Sequence, residues 1–326
     1  LSTLITIFVG GRLYFAGEVS AGNITEFIYY VNLLTWPIAS IGWVTSLVQS
    51  AAASMQRLNE FLDEEPDFVS GDHAPDQFQG HIAFENVSFT YPNSGIQALD
   101  QVSFELLPGQ SLGILGKTGS GKSTIAALVV RQYDPSEGRI LIDGVDVKNW
   151  HLPTLKSYLG WVPQEAFLFS DTIANNIAFG MERLNMQQVE TAAKAAGVHE
   201  NIVEFPKQYE TKVGERGITL SGGQKQRVSI ARALVKSPKL MVFDDCLSAV
   251  DTETEELILS NIKAATASVS SLIIAHRISS VKHCEQIICL EDGAVIESGT
   301  HDELEAAGGH YSELIALQID AKFTEE

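Results

Sequence analysis

An apolar run that turns into glycines, then a lysine and a serine, leaves a polypeptide few choices. Residues 111–124 read SLGILGKTGSGKST. They combine a strand, a glycine-rich loop and the opening of a helix in the spacing GxxxxGK[ST]. Gly116, Gly119 and Gly121 let the backbone curl so that successive N–H groups converge on one point. The helix N-terminus adds partial positive charge there. Such a loop accepts a polyphosphate, so ATP is the expected ligand, with Lys117, Thr118, Ser120 and Thr124 completing the cradle. Lys122 should neutralise the outer phosphates, and the Ser123 hydroxyl should ligate Mg²⁺. The plainer alternative, a glycine-rich turn without a ligand, does not require strand, spacing and helix together.

A second feature needs this loop to make sense. Residues 239–251 read KLMVFDDCLSAVD, an apolar strand running into two adjacent carboxylates. Like charges this close repel, and a purely structural strand has little reason to keep both. In a phosphate-binding protein the acid ending such a strand belongs to the Mg²⁺ shell, the role expected of Asp244. Asp245 would then polarise an attacking water. From His81 onward, strand-like runs (81–91, 110–115, 138–144, 157–163, 239–244, 270–275 and 285–291) alternate with helical patterns at 122–132, 186–197, 222–235 and 252–265. That alternation predicts an α/β domain whose helices cover a mainly parallel sheet.

Upstream the composition is different. Residues 1–16 are apolar apart from Arg12, and residues 24–48 carry only Glu26 as a charge. A helix over 24–48 would rise roughly 37 Å, enough to cross a hydrocarbon layer of about 30 Å, with Pro37 expected to kink it. The expectation is a span cut off at its start over 1–16, a full span over 24–48 and a helical extension over 49–62. A buried hairpin is the alternative. Pro66, Gly71, Pro75 and Gly80 mark a linker at 63–80, followed by a domain at 81–319 and a tail at 320–326. With 22 basic against 41 acidic residues, a net charge of −19 argues against a nucleic-acid partner. The acidic clusters read as solvated surface. Cys246, Cys284 and Cys289 form no CxxC or zinc spacing, and the eight histidines show no ligand pattern.

One motif narrows the field. LSGGQKQR, residues 220–227, precedes a helical run in which Ser221 can cap the first turn while Gly222 and Gly223 expose its amides. This is a second anion site, and one ATP hardly needs both from the same subunit. From about Ile82 to Leu317 the chain resembles the nucleotide-binding domain of an ATP-binding cassette (ABC) transporter, joined to the end of a membrane domain. The resemblance implies a mainly parallel core sheet, an antiparallel β part and a helical subdomain. It also implies that Ser221, Gly222, Gly223 and Gln224 serve a nucleotide held by another subunit. By the same resemblance Tyr91 stacks on adenine, Gln164 joins Mg²⁺ and couples to the membrane domain, and His276 meets the γ-phosphate. Glu215, in TKVGERG, falls in a cross-subunit loop, and Ser248 and Asp251 in the loop linking two ATP sites. Taken singly, Tyr91 reads as a strand end, Gln164 as a turn residue and His276 as a satisfied histidine. His301 is assigned no chemistry.

The motifs look most like bacterial multidrug exporters of the Mdl type. The implication is a half-transporter of six membrane helices, roughly four of them upstream of this sequence, in the cell membrane with its ATPase domain in the cytoplasm. Lipid and a small hydrophobic or amphipathic substrate would be its partners. Active members mostly have Glu after the strand's Asp, whereas this chain has Asp245. Aspartate is shorter by about 1.5 Å, and displacements near 1 Å can cost on the order of 100-fold. The expectation is a slow, ATP-holding site on this P-loop and an intact LSGGQ completing a partner's site, as in a heterodimer. A homodimer with Asp245 as a competent base, a soluble ABC-type clamp on nucleic acid or ribosomes, and a regulatory ATP-binding module remain open alternatives.

Overall fold

The computed structural model of the chain describes residues 1–64, 69–214, 220–246, 258, 260–261 and 269–324. Glu215, Ser248, Asp251 and most of the helix expected over 252–265 lie outside the described residues. Contacts divide the chain into two units, Leu1–Asp67 and Phe68–Glu326.

The first unit is a helical hairpin. Helix α1 (Ser2–Phe15) is followed by a short turn and by α2 (Ala21–Leu62), which runs on through Pro37. Ser20 starts α2 through a capping box: its hydroxyl accepts from the Asn23 amide and the Asn23 side chain accepts from the Ser20 amide. At 1.5 Å per residue, the 42 residues of α2 extend roughly 63 Å, about twice a hydrocarbon layer. No residue of either helix is buried, and Trp36 and Trp43 are 79% and 68% exposed. A surface this apolar on every side suits lipid rather than water. Helix α2 is long and apolar enough to cross a membrane.

The second unit is built on two sheets. Nine of its strands set the frame: β1 (Ile82–Thr90), β2 (Gln97–Leu106), β3 (Ser111–Gly116), β4 (Glu137–Ile142), β6 (Leu159–Val162), β7 (Leu240–Asp244), β8 (Ser270–Ile274), β9 (Gln286–Glu291) and β10 (Ala294–Gly299). With the two-residue β5 (Val145–Asp146), strands β2-β1-β4-β5 form an antiparallel sheet. The larger sheet has the order β10-β9-β3-β8-β7-β6, parallel except for β10. Its inner strands β9, β3, β8 and β7 are covered on both faces, which is why they read as unbroken apolar runs. Along β7, Leu240 and Val242 enter one core with β1, β2 and β4, whereas Met241 and Phe243 enter the other with the helices.

Helix α3 (Lys122–Val129) fills the first core with Ile125, Leu128 and Val129, all 0% exposed. The second core is closed by α5 (Ile173–Ile177), α6 (Met186–Ala195), α7 (His199–Val203) and α8 (Gly222–Leu234), with α4 (Leu152–Tyr158) leading into β6. Helices α9 (Ile278–Val281), α10 (His301–Ala307) and α11 (His310–Thr324) complete the described chain.

Two strands that the sequence pattern had not marked, β2 and β10, are edge partners. β2 buries alternate residues only, and β10 is intermediate or exposed throughout, so neither shows a continuous apolar run. The segment 69–80, which carries no periodicity, lies against the domain. Phe78 stacks on Tyr158 at 4.8 Å and meets Trp150 edge-on at 5.6 Å. The Tyr158 hydroxyl donates to the Pro75 carbonyl at 2.8 Å.

Candidate functional site

Ligands of open α/β sheets collect at the carboxyl ends of the strands, and the register here sends four loops out of that edge. Ile114 in β3 pairs with Ile274 in β8, and Asp244 in β7 pairs with the same Ile274. Val162 in β6 pairs with Phe243. The glycine loop, the Asp244–Asp245 pair, the Ala275–His276 segment and the Pro163–Gln164 segment therefore leave the sheet side by side.

The loop packs tightly against the backbones of β2 and β9. A Cβ on Gly121, at φ +98°, would lie 2.4 Å from the Ala98 carbonyl oxygen, and one on Gly116 would lie 2.3 Å from that of Leu290. No side chain caps α3, and the Thr124 amide donates to the Gly121 carbonyl at 3.1 Å, which leaves the Lys122 and Ser123 amides for a ligand. Lys122 is 5% exposed, and its Nζ donates to the carbonyls of Gly116 at 2.7 Å and Lys117 at 2.8 Å. Burial lowers the Lys122 pKa, opposed by the charges of Asp245 and Asp244. The Ser120 hydroxyl is buried with no hydrogen-bond partner among the described residues. Lys117 reaches Glu291 at 3.3 Å, and Thr118 and Gly119 stand exposed at the rim.

At the end of β7 the two carboxylates differ. Asp244 is 6% exposed and accepts from the Ser123 hydroxyl at 2.8 Å. Burial raises its pKa, the Ser123 bond and Lys122 lower it, and Asp245 raises it further. Asp245 lies 3.8 Å from Nε2 of His276, and its own amide donates to the Ile274 carbonyl at 2.9 Å. Its backbone is left-handed, at φ +43°, a region where Asp is several-fold enriched over most residues. Local conformation therefore gives a second reason for aspartate at this position.

A hydroxyl and a carboxylate 2.8 Å apart, beside an ammonium, form the hard-oxygen donor set that Mg²⁺ prefers. The free amides and the orphaned Ser120 hydroxyl suit a phosphate. The residues present fit both groups.

The other expected residues are placed as follows. The Tyr91 hydroxyl is 3.0 Å from the Thr124 hydroxyl, and its ring stands edge-on to Phe89 and Tyr133. This ties Tyr91 to the first turn of α3. Gln164 is exposed two residues beyond β6, and its carbonyl accepts from Gln226 at 3.4 Å. Ser221 caps α8: its hydroxyl accepts from the Gln224 amide at 3.2 Å, and the Gln224 side chain accepts from the Ser221 amide at 3.0 Å. Gly222 and Gly223 occupy the first two helical positions. Sequence reasoning missed Gln318, whose amide bonds the backbone on both sides of Arg277. A lone glutamine on a C-terminal helix carries no motif.

Comparison with known proteins agrees with this geometry. A family model described as ABC transporter matches residues 99–248. The chain carries an ABC transporter domain. It is 39% identical over 318 residues to the multidrug resistance-like ATP-binding protein MdlA of Escherichia coli (strain K12), covering 98% of this chain and 54% of MdlA. It is 40% identical over 310 residues to the ATP-dependent lipid A-core flippase of Pseudomonas fluorescens (strain Pf0-1), covering 95% of this chain and 52% of the flippase. The structure of a bacterial Atm1-family ABC exporter with ATP bound superposes with a TM-score of 0.82 at 38% identity, covering 93% of this chain and 53% of that one. The chain spans about half the length of the curated relatives it matches. ATP and Mg²⁺ are thus the ligands of this ABC domain. A helix long and apolar enough to cross a membrane, ahead of this domain, is in keeping with the likeness to an ABC exporter.

Proposed function

We propose that this chain is the nucleotide-binding domain and last membrane helices of an ATP-driven exporter, working as one of two half-transporters. The observation that carries the reading is the convergence at one sheet edge of an uncapped helix N-terminus, Lys122, the Ser123–Asp244 pair and the Asp245–His276 pair. The N-terminus of α3 and Lys122 would bind and neutralise the triphosphate. Bound Mg²⁺, held by Ser123 and Asp244 with Gln164, would supply charge neutralisation. Asp245 would accept a proton from the attacking water, and His276, within ion-pair range of that carboxylate, would orient it. Ser221 to Gln224 would serve the nucleotide of the opposing subunit.

Asp245 in place of Glu supports a slow site on this P-loop and a heterodimer in which the partner's site, completed by this chain's LSGGQ, does most of the turnover. The unburied apolar surface of α2 and the net charge of −19 favour an exporter over a soluble clamp on nucleic acid. The cargo belongs to the class of small hydrophobic or amphipathic molecules, a class that includes lipids. ATP binding would favour the closed dimer and so shift the membrane helices outward.

The test is ATP-dependent movement of an amphipathic dye and of a labelled lipid in proteoliposomes holding the assembled protein. Transport of either should vanish in a variant carrying both Lys122→Ala and Ser221→Arg. Transport that persists in that variant, or ATP hydrolysis that never moves any amphipath, would overturn the reading. Asp245→Glu should raise hydrolysis at this site. An unchanged rate, with all turnover lost in Asp245→Asn, would show a competent base instead.

A further inference from the structure

His276 has little to hold it in place. Its side chain is 35% exposed, and among the described residues it forms one ion-pair contact, with Asp245 at 3.8 Å. A ring this open owes its position to its backbone. That backbone leaves β8 at Ile274 and turns into α9 at Ile278, and one side chain spans the turn. The Gln318 amide nitrogen donates to the His276 carbonyl at 2.7 Å, and its amide oxygen accepts from the Ile278 N–H at 3.0 Å. A single planar group thereby fixes two peptide units on either side of Arg277.

The clamp is itself anchored. Gln318 lies seven residues, about two turns, after Tyr311 on α11, so the two share a face. Tyr311 is fully buried, and its hydroxyl is 2.8 Å from Nδ1 of His301. The His310 and Tyr311 amides donate to the Glu297 carboxylate on β10 at 2.6 and 2.9 Å. Leu314 and Ile315 pack on the same core as Ile278. The C-terminal helix is thus tied to the sheet at one end and grips the histidine loop at the other.

We infer that Gln318 is a positioning residue for His276, coupling helix α11 to hydrolysis at the P-loop site. The inference rests on the reading of His276 given above. It predicts an effect on turnover rather than on nucleotide affinity, because the P-loop contacts do not involve Gln318. A ring displaced by about 1 Å can lose on the order of 100-fold in a positioned reaction. A loosened loop that still samples the correct place should lose roughly tenfold.

The experiment compares Gln318→Leu, Gln318→Glu, His276→Ala and the His276→Ala/Gln318→Leu pair in the assembled, membrane-reconstituted protein. Single-turnover hydrolysis of the ATP held at this chain's own P-loop site, with the opposing site disabled by Ser221→Arg in every variant, is measured alongside amide exchange of the peptide holding Ile278. Gln318→Leu should lower the rate roughly tenfold, leave the ATP concentration for half-saturation within twofold and speed exchange at Ile278. Gln318→Glu keeps the acceptor for the Ile278 N–H and loses the donor to His276, so it should protect Ile278 and fall between wild type and Gln318→Leu in rate. In the His276→Ala background Gln318→Leu should cost nothing more. A Gln318→Leu rate within twofold of wild type, or an equal loss with and without His276, overturns the inference while leaving the site intact. An unchanged single-turnover rate at this chain's own site in His276→Ala would instead remove the site reading, and the clamp's purpose with it.

Discussion

Asp244 and Asp245 are both buried, at 6% and 9% exposure, but have different partners, and their chemistry follows. Asp244 is buried beside a hydroxyl, and burial raises its pKa above the ordinary 3.8. As pH rises from 3.8, the unfolded chain gives up this proton first, so the folded state holds more protons until its own raised pKa is passed. Stability of the ligand-free protein should therefore fall with rising pH across that window. Asp244→Asn removes the titration. Its urea midpoint should exceed wild type at neutral pH, lose this component of the pH slope and no longer rise with added Mg²⁺. A wild-type midpoint that climbs through the same window, with Asp244→Asn following it, would contradict the assignment. Asp245 is held differently, by its amide to Ile274 and by a left-handed backbone that an aspartate tolerates well. Asp245→Glu thus adds reach and some backbone strain together. A modest gain in hydrolysis, of roughly three- to tenfold, is expected rather than a full restoration.

Among the elements, those that carry the site were the ones legible in the sequence. β3, α3 and β7 are buried on all sides, so their apolar runs and the glycine spacing stand out, and the capping pattern SGGQ announced α8. β2, β10 and the short helices α4, α5 and α7 were not legible: the strands are edges whose residues alternate or are half exposed, and the helices are only one or two turns, too short to show a period. Segment 69–80 reads as a linker because its contacts are dictated by the domain beneath it, not by a period of its own. Phe78 is 9% exposed between Tyr158 and Trp150, and Arg131, 1% exposed, donates to the Val69 and Trp150 carbonyls at 3.0 and 3.3 Å. Phe78→Ala removes a buried aromatic and should cost about 3 kcal/mol. In a domain of this size that lowers the melting temperature by roughly 6–12 °C. Calorimetry should show the loss. A drop under 2 °C would mean that the strap is loosely held in solution. Because the strap precedes β1 and not the P-loop, ATP affinity should be unchanged in the surviving folded protein.

At the scale of the whole molecule, a single chain offers two anion-receiving helix N-termini, α3 and α8, and they have different fates. The α3 terminus sits with the chain's own acids, Asp244 and Asp245. The α8 terminus is closed by Ser221 and Gln224, and its loop meets no acid pair among the described contacts. If the α8 terminus completes a site on another subunit, damage to the two termini falls on different ATP molecules. A slow site on this P-loop then makes the signature segment the more important of the two for turnover. Ser221→Arg should reduce steady-state hydrolysis at least tenfold, the order expected when a preorganised charge-binding element is removed. Lys122→Ala should cost no more than about threefold, while abolishing nucleotide retention at its own site. In a homodimer of competent sites every site loses one element in either variant, so both substitutions should be equally severe. Differently tagged copies separate the cases independently. A heterodimer recovers a second, distinct polypeptide in equal amount with each tag, whereas a homodimer recovers the other tag. Equal losses in the two variants together with tag exchange would replace the asymmetric reading with a symmetric one. The burden of hydrolysis would then return to Asp245 and to the histidine held over it.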